Sequence, residues 1–398
     1  MADKKQAEEK ATSPAPAGSS PAAAPESAPA AVGTEGGDNP AAITTSGKSE
    51  QEQTTSQPFS DEPLHVAEEF QGRTRDDDED SAVGQSDGDS STASVASSIL
   101  EYRTINGRTY HSDRSVNSEA GLYWGANDAK QNHNLDLMHQ IFTLSLDDKL
   151  YLAPLPDKLD KVLDIGTGTG LWCIDFGDDH PDCEVIGTDL SPIQPEWIPP
   201  NVKFEIDDYT QEWTFQDNSL DFVHLRWLVG TISDWGALFK QAYRVLKPGG
   251  WIETLECNGY YESDDGTMTD KTALSKWGYF FREGALALGS TASFSVVKDE
   301  LQVKGLKEAN FTRITENHIK IPTSEWAKDP KHKQIGLITR VALENDTEGT
   351  IGFMATQLGW KKEEISVYAA QLRKELRTNS VHSYYRANTV YAQKPFDA

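Results

Sequence analysis

Val162-Leu163-Asp164-Ile165-Gly166-Thr167-Gly168-Thr169-Gly170 is the stretch on which the fold turns. A short apolar run of strand character passes straight into three glycines at alternate positions, and residues 171–178 continue with helical spacing. Glycine reaches positive φ without a Cβ clash, so the backbone bends tightly there and a ligand can approach closely. The helix that follows opens with unpaired amide groups and the positive end of its dipole. Alone, such a turn is weak evidence, because a purely structural turn uses the same residues.

Its neighbours strengthen it. Asp189, with Leu190 beside it, closes a second strand-like run at 185–188, 25 residues after Asp164. A carboxylate at that place accepts hydrogen bonds from both hydroxyls of a ribose. Asp207 and Asp208 close a third run at 202–206, where a carboxylate accepts from the exocyclic amine of a base and Tyr209 offers a ring face. Taken singly, aspartates at strand ends are most often turn or cap residues. Three at the carboxyl ends of successive strands, beside a glycine turn, form a nucleoside-binding pattern. A dinucleotide fingerprint would need glycine where Leu171 stands, and no Gly-Lys-Ser/Thr follows for a phosphate loop. Asp164, two residues before the first glycine, repels a pyrophosphate but suits a ligand ammonium.

Outward from this turn, strands and helices alternate. A fourth strand is expected at 220–225, an amphipathic helix at 235–246 with Leu238, Phe239, Ala242 and Leu246 on one face, and a fifth strand at 251–255 after Lys247-Pro248-Gly249-Gly250. This rhythm calls for a parallel sheet with helices on both faces. Later strand candidates are 313–321 and 383–392, with a helix at 361–377 between them. Before the turn, Asn106-Gly107 marks a hairpin, and a helix is expected from Asn127, capped by Asn127 or Asp128.

The amino-terminal quarter differs in kind. Residues 1–100 hold 6 Lys and Arg against 19 Asp and Glu, half of the net charge of −26, and only Phe59 and Phe70 as aromatics. Such a stretch buries too little apolar area to offset its ordering entropy, so 1–98 reads as a disordered acidic tail and 99–398 as one domain. Nowhere is there a basic patch for nucleic acid, and acidic charge repels anionic lipid as well. No run of about eighteen apolar residues is present to span a membrane. Cys173, Cys183 and Cys257 match no metal spacing, so no metal is expected. Their odd number and the polar start MADKKQAEEK fit a reducing compartment, cytoplasmic or nuclear.

LDIGTGTG at 163–170, the acids Asp189 and Asp208, and LKPGG at 246–250 together resemble the class I S-adenosylmethionine-dependent methyltransferases. The resemblance implies a Rossmann-like, seven-stranded, mostly parallel sheet whose antiparallel last strand pairs with the one before it. It also implies S-adenosyl-L-methionine as cofactor, its methionine part at Asp164, Gly166, Thr167, Gly168 and Gly170, its ribose at Asp189, its adenine at Asp208. NGRTYH at 106–111, NLDLMHQIF at 134–142, KLYLAPL at 149–155, DFVHLRWLVGTISDW at 221–235 and GGWIETLE at 249–256 resemble the fungal LaeA-like group. That group implies a setting in secondary metabolism or development, and a velvet-type regulatory protein as a partner.

His224 and Arg226 follow the fourth strand, where a transferable methyl would sit, and are the catalytic candidates. His224 suits a base or a cofactor contact, and equally a structural histidine; Arg226 suits a carboxylate of a ligand, or Asp221 or Glu256. Trp227, Trp251 and Tyr260 are candidate acceptor-pocket walls, with core packing the alternative for each, and Glu256 and Asn258 are acceptor-side candidates. Three readings follow: a methyltransferase acting on a small molecule or protein, a non-catalytic regulator with the same fold acting through protein contacts, and an NAD-dependent oxidoreductase. Leu171 speaks against the last.

Overall fold

The computed structural model describes residues 55–56, 102–111 and 123–398. The chain enters with a two-residue strand β1 (Thr55–Ser56) and a hairpin of β2 (Arg103–Ile105) and β3 (Arg108–Tyr110). Asn106 and Gly107 both take positive φ, +54° and +85°, the type I′ geometry that Asn-Gly favours. Next come α1 (Ala129–Ser145), β4 (Lys161–Ile165), α2 (Leu171–Asp179), β5 (Glu184–Asp189), β6 (Val202–Ile206), β7 (Leu220–Arg226), α3 (Trp235–Val245) and β8 (Leu246–Cys257). The carboxyl-terminal part holds α4 (Ala273–Ala287), α5 (Leu301–Glu308), β9 (Thr312–Pro322), α6 (Pro330–Asn345), α7 (Thr347–Gln357), α8 (Lys362–Thr378) and β10 (Tyr384–Gln393).

The strands form one sheet in the order β1-β9-β10-β8-β7-β4-β5-β6. Strands β8, β7, β4, β5 and β6 run parallel, and β10 runs antiparallel to both of its neighbours, β8 and β9. The seven-stranded expectation holds for β4 to β10, and β1 adds a short eighth strand parallel to β9. That strand lies inside the stretch expected to be disordered, most of which falls outside the described residues. The last two strands pair as expected, but α6, α7 and α8 stand between them in the chain.

Both faces of the sheet are covered, which explains why its strands are apolar runs rather than alternating ones. Val162, Val185, Phe222 and Trp251 face one way, against Trp172, Cys173 and Phe176 of α2. Their chain neighbours Leu163, Ile186, Val223 and Ile252 face the other, in a larger core with Ile141 and Phe142 of α1. No helix among the described residues is long and apolar enough to cross a membrane.

Two sets of buried polar contacts tie distant parts together. Arg108 of the hairpin grips Asp346, between α6 and α7, through Nη1 at 2.6 Å and Nη2 at 2.8 Å. The same guanidinium holds Asp128, whose carboxylate also caps α1 by accepting from the Lys130 and Gln131 amides. On β8, Glu253 accepts from the amides of Leu152 and Ala153 at 2.8 and 2.6 Å, and Glu256 from that of Leu228 at 2.9 Å. Burial pushes both carboxyls up, Glu253 to about 7 and Glu256 to about 8.

Two outcomes follow. Arg108→Ala strands the fully buried Asp346 carboxylate and is expected to cost about 3–5 kcal/mol in denaturant unfolding. The raised Glu253 and Glu256 carboxyls mean that the folded chain holds protons the unfolded chain has already lost. Their stabilisation is complete below the ordinary carboxylate range and is lost as pH rises through about 7 to 8. The melting temperature should therefore fall between pH 6 and pH 9, and Glu256→Gln should flatten that fall.

Candidate active site

Strand β4 ends at Ile165, and the chain then turns through Gly166, Gly168 and Gly170, all at positive φ, into α2. A Cβ on Gly170 would come within 2.3 Å of the Phe204 ring, and one on Gly166 within 2.6 Å of Leu228. These two glycines thus serve the protein's own packing as well as any ligand. The turn is pinned to the neighbouring strand. Gly168 N donates to Asp189 Oδ2 at 2.8 Å, and the second oxygen accepts from Ser191 N at 3.0 Å. Burial pushes the Asp189 carboxyl up to about 6, so it is ionised at neutral pH.

The turn opens on a cavity of about 780 Å³, its mouth included. Of the residues singled out in the sequence, Asp164, Gly166, Thr167, Gly168, Asp189, Leu190, Tyr209, Arg226 and Trp227 line it. Tyr209 is fixed there by donating its hydroxyl to Thr231 Oγ1 at 2.7 Å. Gly170, Asp207 and Asp208 do not line it. Asp208 spends its carboxylate on its own loop, accepting from Thr210 N at 3.0 Å and Thr210 Oγ1 at 2.5 Å, the turn role that strand-end aspartates most often have.

His224 also stands apart from the cavity wall. It is 1% exposed, lies flat against Trp172 with ring centroids 3.9 Å apart, and donates Nδ1–H to Asp164 Oδ1 at 2.7 Å. Burial lowers its basicity, which leaves a neutral ring that positions Asp164 from behind. Arg226 does face the cavity. It pairs with neither Asp221 nor Glu256 but donates Nη2–H to His139 Nδ1 at 2.6 Å. His139 must then carry its proton on Nε2, where it meets Asp175 at 2.8 Å. Asp164 and Arg226 therefore present opposite charges to one cavity without closing on each other.

A second cavity of about 700 Å³ adjoins the first, and Leu135, Met138 and Trp227 belong to the walls of both. Trp227 holds φ at +59°, a region costing a bulky residue about 1–3 kcal/mol, and its backbone N–H donates to Leu255 O at 3.0 Å. The Glu256 carboxyl braces the next residue, Leu228. Asn258 lines the second cavity. Trp251, Tyr260 and Glu256 line neither cavity; Trp251 packs in the α2-side core beside Tyr391. His111, Tyr123 and His139, which sequence reasoning missed, complete the first cavity. His111 lies in the quoted NGRTYH phrase, whose only local signal was a hairpin turn.

Residues 137–301 match the model of a methyltransferase domain. The chain is 36% identical over 312 residues to methyltransferase pytC of Aspergillus terreus, covering 78% of this chain and 93% of that protein. It is 33% identical over 298 residues to the secondary metabolism regulator LAE1 of Cochliobolus heterostrophus, covering 73% and 94%. It is 29% identical over 298 residues to a protein-methionine methyltransferase, laeA, of Emericella nidulans, covering 74% and 77%. With its sheet order, its glycine turn and this breadth of similarity, the chain belongs to the fungal LaeA-like methyltransferases.

Proposed function

We propose that the first cavity binds S-adenosylmethionine and that the protein transfers its methyl group to an acceptor. One observation carries the reading: a single cavity is lined by a carboxylate pinned to a glycine turn and by a carboxylate and guanidinium of opposite charge. Asp189 is ionised at neutral pH and accepts the two ribose hydroxyls. Asp164 faces the ammonium, and Arg226 the carboxylate, of the amino-acid part, so a zwitterion is matched at both charges. Tyr209 offers a ring edge or face to the base.

When bound, the cofactor supplies a methyl already activated on a sulfonium, so the protein's task is alignment and exclusion of water. Several of its features serve alignment. His224 holds Asp164, the Asp175–His139 pair holds Arg226, and the strained Trp227 stands where the two cavities meet. Two of the relatives named above are known by their link to secondary metabolism or protein methionine, and we place this chain in the secondary-metabolism setting. An enzyme is favoured over a non-catalytic regulator because a second, walled cavity adjoins the first.

Calorimetry with S-adenosylmethionine and S-adenosylhomocysteine tests this, with NAD as the control. Asp189→Ala should weaken cofactor binding by about 1–3 kcal/mol, while binding of NAD alone would overturn the reading. Affinity of the wild type should fall as pH drops through about 6 and Asp189 takes up a proton. The Asp189→Asn protein should lack that dependence; an identical pH profile in both would remove the ribose assignment.

A further inference from the structure

The second cavity has a chemistry of its own. Its rings include those of Trp124, Trp227, Tyr261, Trp277, Phe281 and Phe294. No residue lining it is acidic, basic or a histidine.

Four polar atoms of residues that line it have no hydrogen-bond partner among the described residues. They are Gln131 Oε1, Asn134 Oδ1, Asn258 Nδ2 and Tyr385 Oη, and the four residues are 4%, 8%, 2% and 4% exposed. Buried polar atoms are nearly always paired, with protein or with ordered water, and a molecule in this cavity would supply partners to four of them at once. The Asn258 carboxamide has its orientation fixed, because Oδ1 accepts from Val297 N at 3.1 Å and Lys298 N at 3.2 Å. The atom left over is therefore an N–H donor, which needs an oxygen opposite it. Gln131 and Asn134, one turn apart on α1, offer oxygens to hydroxyl or N–H groups. Tyr385 Oη serves either way.

Resting on the cofactor reading above, we propose that this cavity takes the methyl acceptor, an uncharged, flat, ring-bearing small molecule whose carbonyl and hydroxyl groups meet those four atoms. A lysine, arginine or carboxylate acceptor would lose its hydration with no counter-charge in the wall. A quaternary ammonium would suit the rings but leave all four polar atoms unpaired. A methionine side chain would also suit the rings, yet its thioether is only a weak acceptor.

Tyr385→Phe is the discriminating variant. It keeps the ring and removes a hydroxyl that has no partner among the described residues, so stability without ligand should be unchanged or raised. Full-length protein without cofactor is titrated, by calorimetry and tryptophan fluorescence, with 2-naphthol, 3-hydroxyflavone and 1-hydroxyanthraquinone. The naphthylethylamine cation and a methionine-containing peptide serve as competitors in class. At least one neutral probe should bind about tenfold more tightly than either competitor, and Tyr385→Phe should weaken it roughly fivefold or more. Gln131→Leu supplies a second reading should Tyr385→Phe fail to fold. Absence of binding by all three neutral probes, preference for the amine or the peptide, or equal affinity in both variants would overturn the proposal. Asp189→Ala separates the two claims: it should weaken S-adenosylmethionine and leave the ring probes untouched.

Discussion

The hydrogen bond from Gly168 N to Asp189 is the constraint on which the site depends. A backbone turn at positive φ has few side-chain means of fixing itself, and here a neighbouring strand supplies the fixing group. The carboxylate that holds the turn is also the one that faces the cavity, so the shape of the turn and the place of the acceptor oxygen cannot vary separately. Keeping that carboxyl buried raises it to about 6, still low enough to be charged at neutral pH. A deeper burial, like that of Glu256, would have left it neutral.

Around this joint the parallel half of the sheet builds one cavity and the inserted helices build the other. Helix α1 contributes to both, with Leu135 and Met138 on the shared wall and Gln131 and Asn134 beyond it. Residues of α4, α6 and α7, among them Phe281, Ala342 and Thr350, close the second cavity. Arg108 ties the arrangement at its edge by holding the start of α1 and the α6–α7 junction with one guanidinium.

What was legible in the sequence is what is local. The turn at 163–170, the acid at 189 and the strand-helix alternation are contiguous signals, and the strands fell within a residue or two at most ends. Asp208 shows the limit of such patterns, since a strand-end aspartate bonded to its own loop and one facing a ligand look alike in sequence. His224 lies two residues from Arg226 and so shares its strand face, yet the Trp172 ring and the bond to Asp164 keep it behind Asp164. The aromatic cavity was illegible for a different reason: its walls come from Trp124 through Tyr385, and no spacing rule links residues that far apart. The helices α4 and α7 went unread in detail because much of their surface is buried on several sides, which blurs the helical period.

Strand β10 is the last strand in the chain and yet sits between β8 and β9. During synthesis on the ribosome those two strands are complete long before the one that joins them, and each waits with a row of unsatisfied amides and carbonyls. A nascent chain stalled before residue 384 would thus carry a gap in the middle of its sheet rather than a frayed end. Such a chain is a natural client for holding chaperones, and any carboxyl-terminal trimming that removes the strand should leave an aggregating product instead of a smaller folded one.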